Sequence, residues 1–301
     1  MLKIISPKVK FKKDENIVNS ESYTLYMKAK SYAGEDTKYN NTTPEELDLA
    51  QGFLENSIAL DSSNVDAQIQ LARIHIYHKD LDTAIEILQK SVKKCENTNQ
   101  EKLLGRTYRN LGNAYMHQWF RGKGIYSELP SLENQKNAAK IAKEYLDIIG
   151  YKYAMGNIVS SFSRFRDSES SNDSAHYYTD QMLRFADDQN SIELEATVYV
   201  KLGHFYRMSG HHYDISESRY YYEKAYKLSH QLSKTFQIDI LDGLYTIAYK
   251  NMEYYDQLDL MEKSIKLSKS INNNFKQFRS IYSSSLVYAF PLSDFKKSNR
   301  L

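Results

Sequence analysis

Few residues of this chain have types and spacing suited to chemistry. His211, His212 and Asp214 occur together in the stretch SGHHYD, and histidine and carboxylate side chains are common zinc ligands. Adjacent histidines in a loop with no further ligand are more often simply polar, so we expect no metal. Cys95 is the single cysteine, which excludes an internal disulfide and fits a reducing compartment. We interpret it as an incidental thiol rather than a nucleophile.

The sequence carries no recognisable catalytic motif. HExxH, GxSxG, a glycine-rich phosphate loop and paired CxxC are all missing, so we expect neither an enzyme nor a cofactor. The formal net charge of +2 gives no field that would attract nucleic acid. The clusters Tyr177-Tyr178 and Tyr220–Tyr222 are interpreted as helix packing rather than as a platform on which bases stack.

The chain also lacks long apolar stretches. Its first residues, MLKIISPKVKFKKDEN, hold no run long enough for a signal peptide, and no later stretch has the length of a membrane span. We therefore expect a cytoplasmic protein that does not contact a membrane.

The element that must position any binding residue is a helix around RTYRNLGNAYMHQ, residues 106–118. Tyr108, Leu111, Gly112 and Tyr115 stand at relative offsets 0, 3, 4 and 7, which places them on one helical face. The small Gly112 lets a neighbouring helix approach closely, and the larger residues fill the space around it. Only 11 glycines and 4 prolines occur in 301 residues, which favours long helices.

The leucine of this pattern recurs about every forty residues along the chain. Leu71 lies forty residues before Leu111 (111 − 71 = 40), and Leu244 lies forty-two after Leu202 (244 − 202 = 42). Thr43–Glu46, TPEE, predicts a helix start, with proline at the first helical position and acids in the first turn. An insertion over residues 119–134 interrupts the period and is either a functional loop or surface variation.

This pattern resembles the tetratricopeptide repeat family over roughly residues 22–290. The resemblance implies an all-α, right-handed superhelical solenoid of about six to seven antiparallel helix pairs. Residues 1–21 are then a charged lead-in segment and residues 291–301 a C-terminal tail. A coiled coil is the structural rival, but polar breaks interrupt any heptad pattern.

The first repeats resemble something narrower. The stretch from NSESYTLYMKAKSYAG to SNVDAQIQLARIHI is similar to the opening of the repeat region in bacterial multidomain adenylate-cyclase-like and transcriptional-regulator-like proteins. In those proteins the repeats follow a catalytic, DNA-binding or TolB-like domain. We expect no such domain among the residues before the repeats printed here, so a catalytic label is not transferred.

The resemblance also implies where a partner would bind. In the family, outward-facing residues of each first helix line a concave groove, which here gives Ile76 and the predicted partner-binding residues Arg73, Tyr77, Arg106, Arg109, Asn113, Met116, His117, Asn157, Lys201, His204 and Arg207. Chaperone-binding members hold a peptide's terminal carboxylate with a clamp: a cation and an asparagine four positions apart on one first helix, an asparagine on the next first helix and two cations on the third. Arg109 and Asn113 match the first of these helices, Asn157 the second and Lys201 one of the two later cations. Thr197 occupies the position of the other cation and departs from the pattern. Solvated polar residues on the face of a solenoid are the commoner explanation of this set.

The sequence thus favours a non-catalytic scaffold that binds a peptide or protein, including one with an acidic or C-terminal carboxylate group, in its groove. The alternative is a sensory or regulatory module of a cyclase-, kinase- or winged-helix-associated protein encoded upstream.

Overall fold

The computed structural model of the chain describes residues 19–33, 42–120, 128–163, 170–208 and 213–289. Within these ranges, regular structure consists of thirteen α-helices and one short 3-10 helix, and consecutive helices pack as antiparallel pairs. The predicted all-α class built from helix pairs is confirmed. The chain divides into two compact units, Met1–Ala154 and Met155–Leu301.

The first unit holds three complete helix pairs and the start of a seventh helix. These helices are α1 Ser20–Ala33, α2 Pro44–Leu60, α3 Val65–His78, α4 Leu81–Asn97, α5 Glu101–Phe120, α6 Glu128–Glu144 and α7 Ile148–Phe162, which ends in the second unit. The odd-numbered members are the first helices of their pairs.

The predicted start of α2 is confirmed in atomic detail. The Thr43 hydroxyl accepts the backbone N–H of Glu46, and the Glu46 carboxylate accepts the backbone N–H of Thr43. Pro44 occupies the first helical position, where its missing N–H costs nothing. This capping box satisfies two of the donors that a helix start would otherwise leave open.

Helix ends repeat one backbone device. In the part of the chain that the structure describes, six residues other than glycine have positive φ, and each lies one or two positions after a helix; they are Lys79, Asn99, Leu146, Asn190, Met252 and Asn272. The residue after each of them donates its N–H to the carbonyl five positions earlier, as Glu253 does to Ala248. This bond caps the helix and turns the chain tightly into the next one.

The packing face predicted for α5 is confirmed at its centre. Leu111 and Gly112 are buried, and a Cβ on Gly112 would lie 2.7 Å from Nε2 of Gln135 in α6. The Ser131 hydroxyl donates to the Gly112 carbonyl at 2.9 Å. Glycine therefore lets α6 approach, as the sequence predicted, although the neighbouring side chains are polar rather than apolar.

The insertion between α5 and α6 is shorter than predicted. Helix α5 continues through Trp119 to Phe120, and α6 begins at Glu128, so both ends of the 119–134 stretch are helical. Residues 121–127 lie outside the described residues. Helix α6 ends at Glu144, because Leu146 has φ 54° and turns the chain into α7.

The second unit holds the end of α7 and six further helices. They are α8 Ser170–Asp188, α9 Ile192–Met208, α10 Ile215–Leu228, α11 Lys234–Lys250, α12 Tyr254–Ser270 and α13 Asn274–Ala289, with the 3-10 helix Ser229–Gln231 after α10. Within it, α9, α11 and α13 take the place of first helices.

Tyr222 of α10 anchors the centre of this unit. Its ring is 3% exposed and lies against Gly203 of α9 and Gly243 of α11. The Ser218 hydroxyl donates to the Gly203 carbonyl at 2.7 Å, as Ser131 does to a glycine of the first unit. A glycine on one helix and a serine on the next are thus a repeated means of close helix packing.

Candidate partner-binding site

The first helices of the first unit are linked by a line of polar contacts. Arg106 of α5 forms an ion pair with Asp66 of α3, forty positions earlier. Arg106 also hydrogen-bonds Tyr26 of α1. Burial, and secondarily Asp66, raises the pKa of Tyr26, whereas nearby cations oppose the shift. Arg106 therefore connects successive first helices, a structural role that the sequence did not predict.

Helix α5 carries most of the predicted site residues of this unit. The guanidinium of Arg109 lies over the ring of Tyr153 in α7, 5.5 Å from its centre, within the range of a cation–π contact. Asn113 and Met116 are half-buried and His117 is exposed. These residues stand on one side of the helix whose opposite side, with Leu111, is in the core.

Helix α3 contributes the two earliest predicted residues. Arg73 is half-buried and donates to the side chain of Gln70 at 2.9 Å, whereas Tyr77 is 46% exposed with its ring edge against His78. Ile76 packs against the core shared by α3, α4 and α5. Tyr77 is the more accessible of these side chains.

In the second unit, the predicted residues lie on α7 and α9. The ammonium of Lys201 donates a hydrogen bond to the Ser160 hydroxyl at 3.1 Å, and the aliphatic part of the Lys201 side chain lies against Gly156. Nδ1 of His204 accepts from Arg207 at 3.0 Å, because arginine can only donate. Asn157 is half-buried on α7, the helix that Lys201 crosses to reach Ser160.

The four positions that match the family's carboxylate clamp are thus distributed over two units. Arg109 and Asn113 belong to the first unit, Asn157 and Lys201 to the second. Each pair lies on first helices and is at least partly exposed. The clamp as a whole stays a prediction.

The sequence did not predict an ion cluster that joins α11 to α13. Lys276 has a side chain only 11% exposed, and it lies 3.1 Å from Asp239 and 2.7 Å from Asp242. Arg279 lies 3.5 Å from Asp242. The carboxylates hold the pKa of Lys276 above its usual range although burial itself lowers it. Like Arg106 with Asp66, a cation on one first helix neutralises acids on the preceding one.

The sequence also missed a cavity of about 350 Å³ beside α5, which we call the α5 cavity. Lys102, Arg106 and Arg109 line one side of it, and Gly105 and Ile141 are among its apolar lining. The spacing of the three cations, at offsets 0, 4 and 7, is visible in the sequence. Only the structure places α6 and the start of α7 opposite them.

The residues singled out for metal or thiol chemistry have other surroundings. His211 and His212 lie outside the described residues, and Asp214 caps α10 by accepting the backbone N–H of Ser216 and Glu217. No group of three or more potential metal ligands occurs in the described ranges. Cys95 is buried between α4 and α5, where burial raises the pKa of its thiol. None of the helices described is long and apolar enough to cross a membrane.

Comparison with solved structures identifies the architecture. BtubC (BKLC) from P. vanneervenii is similar with a TM-score of 0.51 at 14% identity, covering 86% of this chain and 93% of that one. The signal transduction ATPase PH0952 from Pyrococcus horikoshii, which has a tetratricopeptide repeat sensor, also gives a TM-score of 0.51, at 17% identity. The match covers 95% of this chain but 46% of that protein.

A further similar structure is PilW, a type IV pilus biogenesis factor, with a TM-score of 0.45 at 14% identity over 93% of this chain and 98% of that one. No family model matches the sequence. No curated protein matches it either. At these identities the likeness shows the fold alone. The helix pairs of the chain, its close glycine contacts and its likeness to the two structures with a TM-score of 0.51 together show a tetratricopeptide-repeat-like fold.

Proposed function

We propose that the chain is a non-catalytic scaffold that binds a peptide or protein partner along its first helices. The observation that carries this proposal is the two-sided character of α5. Leu111 and Gly112 bury one side in the core, while Arg109, Asn113 and Met116 present cationic, amide and thioether groups on the other. Tetratricopeptide-like repeats generally bind proteins, and a preformed helical surface loses little conformational entropy when a segment docks on it.

The charge of the first helices favours an acidic partner in each unit taken by itself. Arg106 and Arg109 lie three positions apart on α5 of the first unit, and Lys201 and Arg207 lie on α9 of the second. Carboxylates form their strongest contacts with such cations, because charge-assisted hydrogen bonds are about twice as strong as neutral ones. We therefore propose a partner segment with an acidic side chain or a C-terminal carboxylate, and we propose that binding takes place in the cytoplasm.

Affinity capture at low and high salt, read by mass spectrometry, tests the proposal. We expect partners retained by the unaltered chain to be lost from the double variant Arg109→Ala/Asn113→Ala. The variant should keep its helical circular dichroism, because both side chains are partly exposed and the cation–π contact of Arg109 with Tyr153 is worth about 0.5–1 kcal/mol. If the variant retains the same partners as the unaltered chain at both salt concentrations, a site on α5 is contradicted.

A sensory or regulatory module of a signalling protein is the second candidate. The resemblance of the first repeats to those of multidomain cyclase-like and regulator-like proteins favours it. This chain is also similar to 46% of a signal transduction ATPase that has a tetratricopeptide repeat sensor. An adjacent reading frame for a cyclase-like, kinase or winged-helix protein would support this candidate, and purified protein of that frame should then bind the chain directly.

A further inference from the structure

The α5 cavity combines a concave shape with an uneven distribution of charge. It lies between α5, α6 and the first turn of α7, all within the first unit. Its volume of about 350 Å³ is near the lower end of the range for ligand pockets, roughly 300–1,000 Å³. A space of this size accommodates one or two side chains of a partner rather than a folded surface.

The apolar part of the cavity is formed where Gly105 of α5 lies against Ile141 of α6. A Cβ on Gly105 would lie 2.8 Å from Cγ2 of Ile141, so glycine at this position brings the two helices together. Ile141 and the alanines of α6 also line the cavity. An aliphatic side chain that enters would cover apolar surface that is now in contact with water, which favours binding.

The rim carries an excess of positive charge. Lys102, Arg106 and Arg109 line the cavity, whereas Asp147 is the one acid among the described residues of its lining, which gives these four residues a formal balance of +2 (3 − 1 = 2). Asp147 already accepts the backbone N–H of Gly150 at 2.8 Å and caps α7. Even if Asp66 is counted as the partner of Arg106, one positive charge remains.

We propose that the α5 cavity binds a carboxylate side chain of the partner protein together with an adjacent aliphatic residue. This inference rests on the proposed function and deepens it, since it names the chemistry of the partner segment that the first unit binds. The carboxylate meets the rim cations, and the aliphatic side chain packs on Ile141. A nucleic acid or an anionic membrane fits less well, because the chain's formal net charge is only +2 and the cavity is small and partly apolar.

Methyl NMR of protein labelled at its isoleucine δ1 carbons tests this inference. The probes are N-acetyl-Leu-Glu-amide, its uncharged counterpart N-acetyl-Leu-Gln-amide, and sodium acetate. We expect the Ile141 signal, assigned with Ile141→Val, to shift on titration with the first probe and to respond clearly less to the other two. No response of Ile141 to Leu-Glu, or equal responses to Leu-Glu and Leu-Gln, would overturn the inference; a response to acetate as large as that to Leu-Glu would remove the aliphatic requirement and overturn it too.

A matched pair of lysine variants checks the role of charge. Lys102→Gln should weaken Leu-Glu binding roughly two- to fivefold, the range expected when one partly exposed ion pair is lost. Lys90→Gln removes the same charge from an exposed site on α4, away from the cavity lining, and should leave binding unchanged. Equal effects of the two variants would mean that only general charge attraction acts. If the probe fails at Ile141 while whole partners are still captured, the inference fails and the proposed function stands; if the probe binds but no partner is captured, the proposed function fails.

Discussion

The contact of Tyr222 with two glycines gives the sharpest stability prediction. A Cβ on Gly243 would lie 2.1 Å from Cε1 and 2.5 Å from Cζ of the Tyr222 ring, closer than real side chains approach. The ring is 3% exposed, and its hydroxyl is hydrogen-bonded to Arg207, so it has little freedom to move away. Gly243→Ala should therefore strain the seam between α10 and α11.

The expected change in the free energy of unfolding is the difference between two opposing effects. Replacing a glycine by alanine inside a helix stabilises it by about 0.5–1 kcal/mol. Overpacking a well-filled core costs about 1–3 kcal/mol. We expect Gly243→Ala to lower the free energy of unfolding by about 0.5–2 kcal/mol. Gly52→Ala in α2 is the matched control: no atom lies within 4 Å of the new Cβ, so it should stabilise by about 0.5–1 kcal/mol.

Urea denaturation followed by helical circular dichroism measures both variants, and a double-mutant cycle assigns the cause. In a Tyr222→Leu background the ring atoms that meet the new Cβ are gone, so Gly243→Ala should become neutral or stabilising. An equal loss of stability in both backgrounds would refute the collision and the glycine-based account of this seam.

Three further outcomes follow from the same structure. Gly112→Leu should destabilise the first unit by about 1–3 kcal/mol in urea denaturation, because the added side chain meets Gln135, whereas Asn113→Leu on the partly exposed side should change stability by less than about 0.5 kcal/mol. Met252→Gly should raise stability by about 0.5–1 kcal/mol, since Met252 is 71% exposed at φ 57°, and Met252→Ala, which keeps the Cβ, should give no such gain. Burial raises the pKa of several tyrosines, including Tyr108, to about 12, so the stability that their protonated form contributes is present below pH 10.0 and is lost as pH rises through about 12. Part of the phenolate absorbance should therefore rise only together with the loss of helical signal, and ionisation of every tyrosine before any unfolding would contradict this.

Much of the fold could be predicted because its rules are local. The start of α2 followed from Thr43 and Pro44, whose capping chemistry depends only on nearby residues. The packing face of α5 followed from the spacing of Leu111 and Gly112. The end of α6 was harder, since Leu146 adopts positive φ where glycine or asparagine is the usual signal.

The candidate site was predicted less completely, because pairing between helices is not local. Arg106 was predicted as a partner-binding residue, but Asp66 and Tyr26 engage it from two other helices. Lys102 was overlooked although it shares a stripe with Arg106, since only the approach of α6 turns that stripe into the rim of a cavity. The spacing of residues in the sequence predicts which side of a helix they share. The neighbouring helices decide which of those side chains already have partners within the chain.

Site-specific photo-crosslinking tests the binding role of the first helices most directly. A photoreactive phenylalanine is placed at Asn113 on α5 or, as the control, at Leu49 on α2, a second helix whose Leu49 side chain is 52% exposed. We predict that a captured partner crosslinks from position 113 and not from position 49, and that Arg109→Ala reduces the yield. A partner that crosslinks from Leu49 and never from Asn113 would place binding on the opposite helices and contradict the account.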